Sequence, residues 1–252
     1  MTYRYKITFA YDGTNFAGFQ VQPKQRTVEL ALTNAVNKIA KKPTPPIAVY
    51  GSGRTDSGVH ALGQVAHFDL PYQIPNESLR KALNSILPLD ILVNEVEMVD
   101  ENFHARFNAH FKTYRYRVSL GEFVDPFKRN YTGHCKYSLD IANMQEAAKS
   151  LVGEHDFTSF VASGSGTKSN VRTIYAVKVE ADVINQEIIM EFTGNGFLYN
   201  QVRIMTAFLL EVGSGQRTVD AVEKVILAKN RDLARGTAPA SGLYLVNVDY
   251  DS

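Results

Sequence analysis

Ten consecutive residues concentrate the chemistry of this chain: Gly51-Ser52-Gly53-Arg54-Thr55-Asp56-Ser57-Gly58-Val59-His60. Three glycines among the first eight let the backbone turn tightly and approach a ligand closely. Inside that turn stand a cation, hydroxyls and a carboxylate. Arg54, two positions before Asp56, is suited to favour the ionised carboxylate by its charge. An ionised aspartate held in a cleft can serve as a nucleophile or a base. The same residues also suit a glycine-rich hairpin with an Arg–Asp surface pair, and spacing leaves both readings open. Two phosphate cradles are excluded: no Gly-Lys-Ser/Thr follows, as a Walker A loop requires, and the G-x-G-x-x-G spacing is absent.

The elements that must position this loop follow from the patterning around it. Residues 3–11 alternate Tyr5, Ile7 and Phe9 with Arg4, Lys6 and Thr8, which predicts a half-buried strand ended by Asp12-Gly13. Thr27 can cap a helix over 27–40, where Val28, Leu32, Ala35, Val36 and Ile39 recur at helical spacing. A short strand over 47–50 and another near 64–70 pin the loop at both ends. Asn76 caps a helix running to Ile86, and 91–99 reads as a strand.

A second strand–helix rhythm begins after a break near 100–110. It comprises a strand over 111–120, a helix after a Ser138 cap ending near Gly153, and strands over 172–182 and 187–193. An apolar helix over 197–212, a helix over 219–228 and a last strand over 243–249 complete it. Residues 161–170, VASGSGTKSN, read as a flexible Gly/Ser loop. The two halves show no close sequence repeat. Strands flanked by amphipathic helices predict sheets covered on one face and open on the other.

Composition narrows the function classes. The 252 residues suffice for one large or two modest domains, and 44% hydrophobic with 21% charged residues is ordinary globular usage. No apolar run approaches the ~20 residues of a membrane span, and the first residues lack the apolar core of a signal peptide. The single Cys135 excludes an internal disulfide and an all-cysteine metal site, and points to the reducing cytoplasm. The six histidines show no H-x-x-x-H spacing. A net charge of +1 says little about partners. Clustering says more: Arg106, Lys112, Arg115 and Arg117 interleave with Phe103, Phe107, Phe111, Tyr114 and Tyr116, with no acid in 103–118. Such residues neutralise phosphates and stack unpaired bases. Lys128, Arg129 and Lys136 form a second run that suits a solvated face.

The string SGRTDSGVHALGQVAHF resembles the signature of the tRNA pseudouridine synthase A family. FAYDGTNFAGFQ at 9–20, FHARFNAHFKTYRYRV at 103–118, GEHDFTSF at 153–160, GNGFLYNQVRIM at 194–205 and GLYLVNVDY at 242–250 resemble its other blocks, in the family's order along nearly the whole chain. Ser52 stands where the family usually has Ala, and Phe19 where it usually has Trp. Neither departure removes a group the chemistry requires.

The resemblance implies an α+β fold: two ferredoxin-like domains, 1–105 and 106–252, whose mainly antiparallel sheets merge around a central active-site cleft. It implies conversion of uridine to pseudouridine at positions 38, 39 and 40 in the tRNA anticodon stem-loop, by a cytoplasmic homodimer. Substrate and product are isomers, so no redox cofactor, ATP or metal is implied. Asp56 falls on the family's aspartate nucleophile, which either attacks C1′ or takes the C2′ proton to give a glycal. Tyr114 falls on the active-site tyrosine, stacking on the flipped uracil or helping move the C5 proton; without the resemblance it is one more aromatic in a strand. Arg203 falls on the basic residue that pairs with the aspartate, although from sequence alone it suits equally an arginine reaching for solvent. Arg54 and His60 are expected to contact phosphate or hold the target base out of the stack. Leu245 is expected to line the uracil pocket. The competing readings are a non-catalytic RNA-binding module, which gives no reason for an aspartate in a glycine-pinned turn, and a hydrolase built on Asp56 and His60 or on a serine of the SGSG segment, which lacks a G-x-S-x-G elbow.

Overall fold

Alternation in the first strand translates directly into packing. In the computed structural model, which describes residues 2–164 and 166–250, β1 (Tyr3–Tyr11) buries Tyr5, Ile7 and Phe9 completely. Each such side chain is worth roughly 1.5–3 kcal/mol on burial. The intervening Arg4 and Lys6 stay half-exposed on the opposite face. Two compact units divide the chain: residues 1–110 with 245–252, and residues 111–244. Ser165, in the expected Gly/Ser loop, lies outside the described residues.

In the first unit α1 (Val28–Ile39), β2 (Tyr50–Gly51), β3 (His60–Leu70), α2 (Asn76–Ile86) and β4 (Ile91–Val99) follow β1. The strands run β4-β1-β3, antiparallel, with β2 adding its two residues to β3. The chain order βαββαβ with this spatial order is the ferredoxin-like arrangement. The helices turn Val28, Leu32, Val36, Leu79 and Leu83 inward, and α2 packs on β4. On the other face, cross-strand neighbours are ion pairs: Arg4 with Asp69 at 2.7 Å and Lys6 with Glu97 at 2.7 Å.

The second unit again packs helices against antiparallel strands, with a different element order. It contains β5 (Phe111–Leu120), β6 (Gly133–Cys135), α3 (Ile141–Lys149), β7 (Gly153–Asp156), β8 (Val171–Asp182), β9 (Glu187–Gly194), α4 (Gln201–Gly213) and α5 (Ala221–Ala228). The main strands run β5-β9-β8-β7 and are antiparallel; β6 pairs parallel to β5. Met144 and Ala147 of α3 and Ile204, Met205, Phe208 and Leu209 of α4 form its core.

The last strand, β10 (Leu243–Asp249), differs from expectation. From Leu245 onward the chain belongs with the first unit rather than with 106–244. There β10 is hydrogen-bonded to β3, and Tyr250 packs on Phe103 at 5.1 Å and donates its hydroxyl to the Ala105 carbonyl at 2.6 Å. The helix caps also differ. Thr27 occupies the N-cap of α1 but its buried hydroxyl finds no partner among the described residues. Pro75, not Asn76, precedes α2. Asp140, not Ser138, caps α3 by accepting the Asn143 N–H. The apolar helix begins at Gln201 rather than 197, because Asn200 takes a left-handed conformation (φ 58°). Among the described residues no helix is long and apolar enough to cross a membrane.

Candidate active site

The Asp56 loop is anchored at its base by buried polar bonds. The Ser52 N–H donates to the Val65 carbonyl at 2.7 Å, and the Ser52 hydroxyl donates to Gln64 Oε1 at 2.6 Å. Gln64 in turn donates through Nε2 to the Gly53 carbonyl at 3.2 Å. Ser52 and Gln64 are fully buried, so each bond is expensive to lose. The tip is closed by the Val59 N–H on the Asp56 carbonyl at 3.1 Å, with Gly58 at φ 77° supplying the turn.

A second clamp comes from residues 11–19. The Phe19 N–H donates to the Thr55 carbonyl at 3.0 Å, while the Gly58 N–H and the Ser57 hydroxyl both donate to the Phe16 carbonyl at 3.3 Å. Tyr11 shares a 2.7 Å hydrogen bond with the Thr55 hydroxyl. Burial pushes the Tyr11 phenol up to about 12, against the bonds from Thr55 and Gln64 that oppose it, so the hydroxyl remains protonated. Two glycines permit this approach. A Cβ on Gly18 (φ 97°) would lie 2.9 Å from the Thr55 carbonyl oxygen and 3.4 Å from the Asp56 carbonyl carbon, and a Cβ on Gly13 would collide with the Val59 carbonyl. The element FAYDGTNFAGFQ, whose first residues continue the strand that ends at Asp12-Gly13, is therefore the platform on which the loop rests. Gly13 and Gly18 are the positions where the two backbones come closest, and the Asp-Gly and Ala-Gly pairs after a strand are their sequence signal.

Within the loop the carboxylate-bearing Asp56 is half-buried, Thr55 and His60 are buried and Arg54 is exposed. Arg54 makes no ion pair among the described residues, so the Arg54–Asp56 pair that their spacing suggested does not form. His60, 2% exposed, accepts the Gly13 N–H on Nδ1 at 3.0 Å and lies 3.2 Å from Asp12 Oδ1. It braces the 12–14 turn from beneath. Leu245, fully buried on β10, belongs to the same unit.

Tyr114 and Arg203 belong to the second unit. Tyr114 on β5 stands opposite Phe192 and meets the Phe197 ring edge-to-face at 5.2 Å. It is 9% exposed. Arg203, in the first turn of α4, is half-buried and oriented: Nε donates to the Ala238 carbonyl and a terminal nitrogen to Asn200 Oδ1, both at 2.7 Å. The Ala238 N–H returns a bond to the Arg203 carbonyl at 3.1 Å. This is a held guanidinium rather than one extended to solvent. Burial raises the Tyr116 phenol, and the nearby Arg203 charge partly offsets that. Tyr116 donates to the Pro239 carbonyl at 2.8 Å.

The basic–aromatic strand is less free than its sequence suggests. Arg115 pairs with Glu191 at 2.7 Å and Arg117 with Glu187 at 2.8 Å, so acids from β9 neutralise two of the four cations. Among the described residues no group of three or more His, Cys, Asp or Glu side chains is placed to hold a metal ion.

A family model described as tRNA pseudouridine synthase matches residues 7–108 and 147–251. Asp56, Arg54, His60, Arg203 and Leu245 fall inside those stretches, and Tyr114 lies between them. The chain is 71% identical to tRNA pseudouridine synthase A of Limosilactobacillus reuteri over 98% of its own length and 97% of that protein. It is 60% identical to the protein of the same name from Ligilactobacillus salivarius over 100% of this chain and 98% of the relative. Coverage on that scale, block by block, places the chain in the tRNA pseudouridine synthase family. Its reaction is accordingly an isomerisation, the conversion of uridine to pseudouridine in tRNA.

Proposed function

We propose that this protein isomerises uridine at positions 38, 39 and 40 of the tRNA anticodon stem-loop, with Asp56 as the nucleophile, Tyr114 against the uracil and Arg203 as the carboxylate's cationic partner. The observation that supports it most is the double clamp on the loop. Backbone bonds from Val65, Phe19 and Phe16 fix residues 52–58, while Asp56 itself keeps part of its surface exposed. A group held this way reacts without reorganising at the moment of reaction.

Two routes are open to Asp56. In one, an Asp56 carboxylate oxygen bonds to C1′ as the N1–C1′ bond breaks and uracil leaves with the electron pair. The base turns over, C5 bonds to C1′ as the carboxylate departs, and the C5 proton is lost while N1 gains one. In the other, Asp56 takes the C2′ proton as the same bond breaks, leaving a glycal; C5 then bonds to C1′ as the proton returns to C2′, and again the C5 proton is lost while N1 gains one. Deuterium at C2′ tests the glycal route: a primary isotope effect on single-turnover chemistry, or exchange of the C2′ label with solvent, assigns it. Arg54, exposed at the loop, suits a phosphate contact. His60 serves the site by supporting the 12–14 turn, and Leu245 by shaping the apolar wall for the base. By the family resemblance the protein works in the cytoplasm as a homodimer, for which sedimentation should give twice the 28.1 kDa chain mass.

The test is Asp56→Asn. It removes the nucleophilic charge and keeps the shape. Tritium release from C5-labelled uridine in tRNA should vanish, while tRNA binding and the melting temperature stay near wild type. Wild-type turnover by this variant would remove Asp56 from the mechanism.

A further inference from the structure

We propose that a cavity in the first unit, lined by residues outside the 51–60 loop, is a second subsite that takes one unstacked base of the bound RNA. The inference rests on the reading of the chain as a tRNA-modifying enzyme. The cavity has a volume of about 500 Å³ and is lined by Asp100, Phe103, Phe107, Asn108, His110 and Tyr250 among others. That volume falls in the usual range for small-ligand sites, about 300–1,000 Å³.

Its walls are aromatic. Phe103 and Tyr250 meet at 5.1 Å, and the Lys6 ammonium lies 6.0 and 5.8 Å from their ring centroids. Phe107 is 76% exposed, an unfavourable state for a phenyl ring, yet it is not loose. The His104 ring supports it at 4.3 Å with 33° between planes, and His104 in turn rests on His67 at 4.6 Å. The His104 N–H is fixed by Asn108 Oδ1 at 2.5 Å. A phenyl face held out to water by a braced stack is the arrangement that single-strand binders use to receive a base. The Arg106 guanidinium, 5.9 Å from the Phe107 ring, supplies a cation beside it for the backbone.

The rim offers complementary polar groups. Asp100 spends Oδ1 on the N–H and Nδ2 of Asn102, at 2.8 and 2.7 Å, leaving Oδ2 as an acceptor. Asn108 uses Oδ1 on His104 and retains the Nδ2 donors. Every base presents a neighbouring donor and acceptor on its edge and a π face above it. The pocket therefore anchors the RNA without selecting one base.

Phe107 provides both the perturbation and the reporter. The chain contains no tryptophan, so Phe107→Trp introduces a single indole at the pocket. Phe107→Ala should raise KM for tRNA about tenfold, a loss of about 1.4 kcal/mol in binding, with kcat within about twofold and an unchanged melting temperature. Phe107→Trp should keep KM near wild type, and its emission should be quenched as tRNA binds. Guanosine 5′-monophosphate should quench it too, whereas ribose 5-phosphate, which lacks a base, should not. An unchanged KM in Phe107→Ala, or Trp emission indifferent to saturating tRNA, overturns the proposal. Failure of the functional reading looks different: wild-type protein would then form no pseudouridine, while the indole titration would still report whether a base enters.

Discussion

Two glycine–serine segments of this chain have nearly the same composition and opposite physics. In 51–60 the buried Ser52, Thr55, Val59 and His60 alternate with residues that reach solvent, and backbone groups at 52, 53, 55, 56, 58 and 59 are all hydrogen-bonded. In 161–170 a Cβ on Gly164 or Gly166 would meet nothing within 4 Å. Glycine serves the first segment and its 11–19 platform because two backbones must touch. In the second no other group approaches either glycine, and only Gly164, at φ 86°, needs the residue for its conformation. A glycine-rich segment is held in one shape when another backbone packs against it, and the partner here lies some forty residues away in the sequence, at 11–19.

The largest effect should come from breaking the clamp itself. Gly13→Ala drives a methyl group into the Val59 carbonyl, a backbone atom that cannot rotate away. Overpacking of this kind costs about 1–3 kcal/mol or more. Thermal melting should fall accordingly, and pseudouridine formation should fall further than the melting loss explains, since the displaced turn carries Asp56. A Gly13→Ala protein with wild-type turnover would mean that the 11–19 platform does not position the loop.

A smaller, pH-dependent effect should appear on the clamped side alone. The Tyr50 ring, in the strand that leads into the loop, stacks on His67 at 5.2 Å. Nδ1 of His67 also accepts the Ala105 N–H at 3.1 Å. Burial, then the neighbouring His104 and Arg4 charges, depress the His67 pKa from 6.5 to about 4, with Asp69 and a Tyr50 backbone bond opposing. Above pH 6.5 the imidazole is neutral in both folded and unfolded chains, so it adds no slope. Between 6.5 and about 4 the unfolded chain takes up a proton that the folded one refuses, so stability falls with falling pH. Below 4 both are protonated and the slope ends. Melting followed from pH 7 to 4 should show this loss, and His67→Asn, which keeps an acceptor for Ala105, should flatten it. Segment 161–170 contains no histidine and no such dependence is expected there.

Local patterning carried much of the architecture. The strands at 3–11, 91–99 and 111–120 sit where alternation predicts, because one buried face is sufficient to set them. What needed the fold was non-local. β6 and β7, three and four residues long, exist only because β5 and β8 offer edges to pair with. Residues 245–250 join the first unit through β3 and Ala105, contacts no local window contains. The helix caps went to Asp140 and Pro75 rather than to the neighbouring Ser138 and Asn76, a register difference of one or two residues that propensity does not resolve. At the site, the string around Asp56 was legible as a pinned carboxylate. The partners of the arginines were not, since Glu191 and Glu187 lie some seventy residues from Arg115 and Arg117.

The least perturbing change should be Gly166→Ala. The added methyl meets nothing, and the glycine does not occupy the left-handed region that Gly164 does at φ 86°. Stability should move by no more than about 0.5 kcal/mol and turnover not at all. Proteolysis reads the same contrast without mutation. Arg54 and Lys168 are both exposed tryptic sites. A protease must open several residues of backbone to cut, and opening costs whatever bonds that backbone holds. At Arg54 the cost includes the Gly53 bond to Gln64 and the Thr55 bond to Phe19. Around Lys168 the anchors include the Asn170 carbonyl on the Phe157 N–H, the Asn170 Nδ2 on the Thr158 hydroxyl, the Ser169 carbonyl on the Arg172 guanidinium and the Ala162 N–H on the Tyr199 carbonyl. Native trypsin digestion should therefore cleave after Lys168 well before Arg54. Equal rates would show that the loop bearing Asp56 opens as readily as a segment whose glycines no other group approaches, and the distinction between the two would fail.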